Sequence, residues 1–145
     1  MSKKILCLFL LLSLFGCSVY YKHANDKAVE NLNEQIKNEK FAEIYDRSSN
    51  NLKANVTKSE FIEKMKLAVS KMKELDENLN WQKDESVLFD KSVFHDRNFS
   101  YRAIKNGDKK IGLSIDWQES FAFCGFAVFW EEEAKEKNIG IRSCD

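Results

Sequence analysis

Four cysteines and two histidines are the residues of this 145-residue chain whose side chains most readily do chemistry. The cysteines stand at Cys7, Cys17, Cys124 and Cys144, and no Cys-x-x-Cys occurs, so the ligand spacing of a zinc site is missing. His95-Asp96 is the single histidine–acid neighbour pair. Adjacent strand residues point to opposite faces, so this pair reads as a solvated turn before Asn98 and not as a catalytic dyad. Asp116 lies between Ile115 and Trp117. Strand alternation turns it away from both, onto a wet face, unless it lines a pocket. Gly-x-Ser-x-Gly is absent, and five glycines in all leave no phosphate-cradling loop. The aromatic residues (11 Phe, 4 Tyr and 3 Trp) do not interleave with bases as a nucleic-acid platform would. Lys+Arg and Asp+Glu each number 23, giving no general pull toward nucleic acid or anionic lipid. The expectation from these residue types is no catalytic set, no metal, no cofactor and no nucleic-acid partner.

Chemistry of another kind is written at positions 1–17. Lys3 and Lys4 precede an apolar run, Ile5–Phe15, of 11 residues. That is well short of the roughly 20 that span a bilayer as a helix, and it suits the hydrophobic region of an export signal. The run closes on Leu14-Phe15-Gly16-Cys17, which resembles the lipobox of bacterial lipoproteins. The resemblance implies that the Cys17 thiol takes a diacylglycerol, that residues 1–16 are cut away, and that the new amine is acylated in turn. A single chain holds a protein marginally at about 0.8 kcal/mol per buried CH₂, so several chains make the anchor stable. Ser18, standing where aspartate would signal retention in the inner membrane, implies by the lipoprotein sorting pattern the outer membrane of a Gram-negative envelope, facing the periplasm. Without Lys3 and Lys4, 21 basic residues face 23 acidic ones, so the lipid and not a polybasic patch would anchor the chain.

With Cys7 lost and Cys17 acylated, Cys124 and Cys144 remain, 20 positions apart in an oxidising compartment. A disulfide is the expected state of such an even pair, worth about 3 kcal/mol by loop entropy; two buried free thiols, or a reactive one, are the alternative.

Residues 17–25 read as the lipidated cysteine and a tether, and 26–145 as one domain. A helix is expected from about Asp26 to Asn38, with Ala28/Val29, Leu32 and Ile36 on one face. Phe41, Ile44 and Tyr45 make a second short apolar face that Ser48–Asn51 ends. Thr57-Lys58-Ser59-Glu60 is a capping box opening a third helix. Its stripe Phe61, Met65, Ala68, Met72, Leu75 and Leu79 predicts about five turns and core packing. The period then falls to two. Val87 and Phe89 alternate weakly, and Asn106-Gly107 signals a hairpin between strands near Asn98–Lys105 and Lys109–Trp117. Phe121–Trp130 carries no charge and predicts an inner strand covered on both sides. Glu131–Lys137 reads as a charged turn or helical turn, and Ile139 and Ile141 as a short last strand ending at Cys144. Helices first and then a meander of strands is α+β: helices packed on a curved antiparallel sheet of four to five strands.

This order, with Asn33–Tyr45 (a helix carrying Phe41-x-x-x-Tyr45) followed by Thr57-Lys58-Ser59-Glu60-Phe61-Ile62, is similar to small bacterial lipoproteins of unknown function with the cone-shaped, nuclear-transport-factor-two-like (cystatin-like) fold. The resemblance implies a pocket-prone domain, which Asp116 could line, but no particular activity. If helices cover one sheet face only, the alternate set Phe126, Val128 and Trp130 needs another cover, making Phe126 and Trp130 candidate contacts for a partner or an apolar ligand. The expected role is a membrane-tethered, non-enzymatic binding module for an envelope protein or a small apolar ligand. The alternatives are a toxin-immunity or hydrolase-inhibitor lipoprotein, an enzyme with a site between helix and sheet, and a structural envelope subunit.

Overall fold

Four helices precede five strands in the computed structural model, which describes residues 24–83, 99–118 and 121–144. Helix α1 covers 24–37 and buries Val29, Leu32 and Ile36. It therefore includes 24 and 25, which the sequence reading assigned to the tether. Its end is a Schellman turn: Lys40 N–H donates to Gln35 O at 2.9 Å and Glu39 N–H to Ile36 O at 3.0 Å, with Glu39 at φ 55°. Helix α2 (Phe41–Arg47) buries Phe41 and Ile44. A further helix, α3 (Asn50–Asn55), lies where the sequence signalled only an end. Ser49 caps it by accepting from Leu52 N–H at 3.1 Å, so the same serine-asparagine run that stops one helix starts the next.

Helix α4 (Lys58–Lys73) opens as expected, with Thr57 Oγ1 accepting from Glu60 N–H at 3.3 Å. The Glu60 carboxylate pairs with Lys64 at 3.1 Å instead of returning to the cap. Phe61, Met65, Ala68, Val69 and Met72 are buried. The helix stops short of the expected Leu79 because Asp76 offers the backbone another partner. Its carboxylate accepts from Asn78 N–H at 2.9 Å and from Asn80 N–H at 3.1 Å. Leu79 still reaches the core, in the left-handed region at φ 51°.

The strands β1 (Gln82–Lys83), β2 (Phe99–Asn106), β3 (Lys109–Gln118), β4 (Ala122–Glu132) and β5 (Lys135–Arg142) form one antiparallel sheet in sequence order. The expected Val87/Phe89 strand lies outside the described residues. The β2–β3 hairpin turns on Gly107, at φ 60°, and Asp108, with Asn106 paired to Lys109. The β4–β5 connection corrects the sequence reading: Glu131 and Glu132 finish β4, Glu133 and Ala134 turn at φ 53° and 58°, and β5 begins at Lys135. That is a two-residue turn with both central residues left-handed, between the cross-strand neighbours Glu132 and Lys135.

One face of the sheet lies under the helices. Ile104, Ile111, Leu113, Ile115, Trp117, Phe123, Phe126 and Val128 join the helical residues in a single core. Phe61 meets Phe123 edge-on with ring centroids 6.0 Å apart, and Trp117 meets the same ring at 6.1 Å. Polar bonds fix the start of α1 to β2. Ser100 Oγ donates to Asn25 Oδ1 at 2.6 Å and accepts from Trp117 Nε1 at 3.1 Å, and Arg102 pairs with Asp26 at 2.7 Å.

Candidate functional site

The register of β4 decides which of its aromatics are available. Asp116 pairs with Gly125 and Trp117 with Phe123, so Cys124 is the extra residue of a bulge. The bulge puts Phe123 and Phe126 on the same, helix-covered face. The set Phe126, Val128 and Trp130, for which the alternation demanded another cover, is therefore the covered one. Phe126 is 1% exposed and stacks on Trp81 at 6.1 Å. Ala127 and Phe129 occupy the opposite face. Here Phe129 lies across Gly112, where a Cβ would stand 2.0 Å from the ring.

Cys124 and Cys144 are bonded, with Cα atoms 5.0 Å apart. The bond pins the end of β5 beside the bulge. Cys144 O also accepts from Gln118 Nε2, and Ser143 N–H donates to Cys124 O at 3.1 Å. Cys17 and His95 lie outside the described residues.

Asp116 is not on a wet face. Its side chain is 2% exposed, accepting from Ser114 Oγ at 3.0 Å and pairing with Arg142 Nε at 3.2 Å. Arg142 Nη2 donates to Ser114 Oγ at 3.3 Å as well, while 59% of the Arg142 side chain remains exposed. The carboxylate is thus roofed by a guanidinium held through the strand that the disulfide secures. Gly125 makes room for it, since a Cβ there would be 2.7 Å from Asp116 Oδ2. This cluster ties β3, β4 and β5 together on the helix-free face. Its Arg142 borders a trench of about 380 Å³ over Ala127 and Gly140.

Trp130 lines a larger one. An open groove of about 580 Å³ lies between the end of α4, the β2–β3 turn and the β4–β5 turn. Trp130, Leu75 and Ile111 supply its apolar surface. Lys71 Nζ sits 4.8 Å from the Trp130 ring centroid while bonding Glu74 at 2.7 Å. Carboxylates of Glu74, Asp108 and Glu131–Glu133 share the rim with Lys71, Lys109 and Lys110. The indole Nε1 of Trp130 is buried without a hydrogen-bond partner. A smaller recess of about 250 Å³ beside α1 and β1 is lined by Asn33 and Trp81, where Asn33 Oδ1 and Trp81 Nε1 are likewise unpartnered. The sequence identified Trp130 through its place in an uncharged aromatic run. It carried no signal for Lys71, Asn33, Trp81 or Arg142, whose roles depend on distant elements.

Among the described residues no three His, Cys, Asp or Glu side chains gather as a metal site would need, and no helix is long and apolar enough to cross a membrane. No protein-family model, curated protein or solved structure matches the chain. The fold defines an α+β domain with helices on one face of an open five-stranded antiparallel sheet.

Proposed function

We propose that this chain is a lipid-anchored protein of the bacterial cell envelope, held at the periplasmic face of the outer membrane through Cys17, and that its domain is a non-enzymatic module binding another envelope protein. The observation that carries the reading is the conjunction, in one chain, of Leu14-Phe15-Gly16-Cys17 after an 11-residue apolar run and a bond between the two remaining cysteines. A disulfide is at home outside the reducing cytosol, which is where a lipobox sends a protein. The order of elements agrees with the cone-shaped domain that the Asn33–Tyr45 and Thr57–Ile62 segments resemble.

The geometry of the tether supports the binding half. Only 18–23 separate Cys17 from position 24, a span of at most about 25 Å fully extended. Helix α1 starts beside Ser100, near the beginning of β2, whereas the Trp130 groove lies past the other end of that strand, six residues and roughly 20 Å further on. The groove thus lies at the end of the sheet away from the start of α1, where a partner can reach its apolar floor.

The test is photo-crosslinking in intact cells from Lys109 and Glu132 on the groove rim, with Leu67, 58% exposed on α4, as the comparison site. The reading predicts one discrete adduct, heavier than the chain by a single partner, from the two rim positions and not from Leu67. Recovery of only lipid and abundant bulk proteins from all three sites contradicts it.

A further inference from the structure

The outer edge of β5 is a row of backbone groups facing away from the sheet. Glu133 and Ala134 form the β4–β5 turn, so Glu132 and Lys135 exchange the first ladder hydrogen bonds. Alternation then turns the N–H and C=O of Lys137, Ile139 and Ile141 toward β4, and those of Glu136, Asn138, Gly140 and Arg142 outward. Ser143 N–H, donating back to Cys124 O at 3.1 Å, keeps the same parity. No described residue bonds the outward backbone groups. Lys135–Asn138 are exposed, and the strand runs eight residues without a proline or a bulge against β4. Such an edge is a template for a further strand.

The geometry points to β5 of a second copy as that strand, antiparallel to the first and related to it by a twofold axis normal to the sheet at Ile139. Parity and charge fix the register. Outward groups bond only outward groups, so Glu136, Asn138, Gly140 and Arg142 must pair among themselves. Centring on Ile139 sets Glu136 opposite Arg142 of the second copy and Asn138 opposite its Gly140. The neighbouring register, centred on Asn138, sets Glu136 opposite glycine and leaves its charge unanswered. Glu136 gains from a cation, because across the ladder it faces Glu131 and no described residue pairs with it. Arg142 can serve a second carboxylate. Its Nε and Nη2 hold Asp116 and Ser114 while 59% of the side chain stays exposed. Lys135 and Lys137 meet Ser143 and Ile141, so no like charges oppose. Shape agrees on both faces. Asn138 enters the space beside Gly140, in the trench of about 380 Å³. On the helix-covered face Ile139, packed against the core, meets its own copy at a non-hydrogen-bonded position, with Cα atoms roughly 4.5 Å apart.

About seven residues of each strand overlap, for up to roughly eight backbone hydrogen bonds. The two edges cover on the order of 500 Å² in all, well below a standard interface. The dimer is therefore weak and reversible, with main-chain bonds supplying affinity and side chains the register. It joins the two five-stranded sheets into one. The pairing does not rest on the lipid reading and stands whether or not Cys17 is acylated.

Disulfide trapping in the full chain reads a weak dimer directly. Ile139→Cys is expected to give a 139–139 linkage, identified by peptide mass, at least about tenfold faster than Asn138→Cys or the exposed Leu67→Cys gives its own. Adding Asn138→Pro removes an outward N–H and leaves every bond to β4 in place, so the 139–139 linkage should vanish while the circular dichroism spectrum is unchanged. Adding Glu136→Arg instead sets cations face to face and should slow trapping by roughly tenfold. Trapping from Ile139→Cys no faster than from Leu67→Cys, or slower than from Asn138→Cys, would overturn the proposal. So would a 139–139 rate that a folded Asn138→Pro chain retains or that Glu136→Arg leaves unchanged.

Discussion

Asp76 organises a turn with one carboxylate. The backbone N–H groups of Asn78 and Asn80 hold its carboxyl below the ordinary value of 3.8, with the Asn80 side chain and Lys37 adding to the effect. A depressed carboxyl contributes stability that is fully present above its unfolded pKa, near 3.9, and lost as the pH falls through the lower folded value. Asp76→Asn should therefore lower the urea midpoint at pH 7 and flatten the fall in stability as the pH drops below about 4, because the carboxyl that binds its proton less readily in the folded chain than in the unfolded one is gone. Wild type and variant showing the same acid dependence would remove this role. The same residue shows how a stripe misleads. Met72, Leu75 and Leu79 keep helical spacing on paper, but the helix ends at Lys73 and a left-handed Leu79 reaches the core by another route. Trp130 was legible as an unusual aromatic. Asp116 was legible only as a strand residue, since its burial comes from Arg142, 26 positions away.

Among the elements, the β4–β5 hairpin is the least well served by its sequence. A two-residue turn with both φ angles positive favours Asn-Gly, yet Glu133 and Ala134 hold it. Exchanging them for Asn and Gly should stabilise the domain by about 1–2 kcal/mol, raising the urea midpoint without changing the slope. A lower midpoint would mean that the two side chains contribute more than their backbone strain costs. The mismatch is also why the first half of β5 was hidden, although its Ile139–Ile141 end was expected: Glu131–Lys137 reads as a solvated charged segment, and nothing apolar marks the start of the strand. By contrast α1, α4 and the β2–β3 hairpin were plain, because a cap, a stripe or a glycine turn stated each one locally. The β4 bulge was not, as one inserted residue exchanges the two faces of everything beyond it. The disulfide at that bulge closes a loop of 20 positions, so Cys124→Ala with Cys144→Ala should cost about 3 kcal/mol in chemical unfolding. A loss below about 1 kcal/mol would show that the polar clamp from Gln118 and Ser143 suffices.

At the scale of the whole molecule, the α+β order followed from the sequence because the hydrophobic period changes once and no repeat or linker interrupts it. The position of the groove did not, since it needs the ends of α4, β3 and β4 brought together. The start of α1 and the groove belong to opposite ends of one sheet, and the proposed role depends on that polarity. A chain released from the membrane would keep its fold but lose its orientation and its local concentration. Cys17→Ser should accordingly leave the unfolding midpoint of the domain unchanged while moving the protein from the membrane fraction to the soluble one. The most direct test is the intact mass and N-terminal sequence of protein extracted from membranes. The account predicts a chain beginning at Cys17 and heavier than its polypeptide by a diacylglycerol and one further acyl group. An unacylated Cys17, or a membrane-bound chain still carrying residues 1–16, would contradict it.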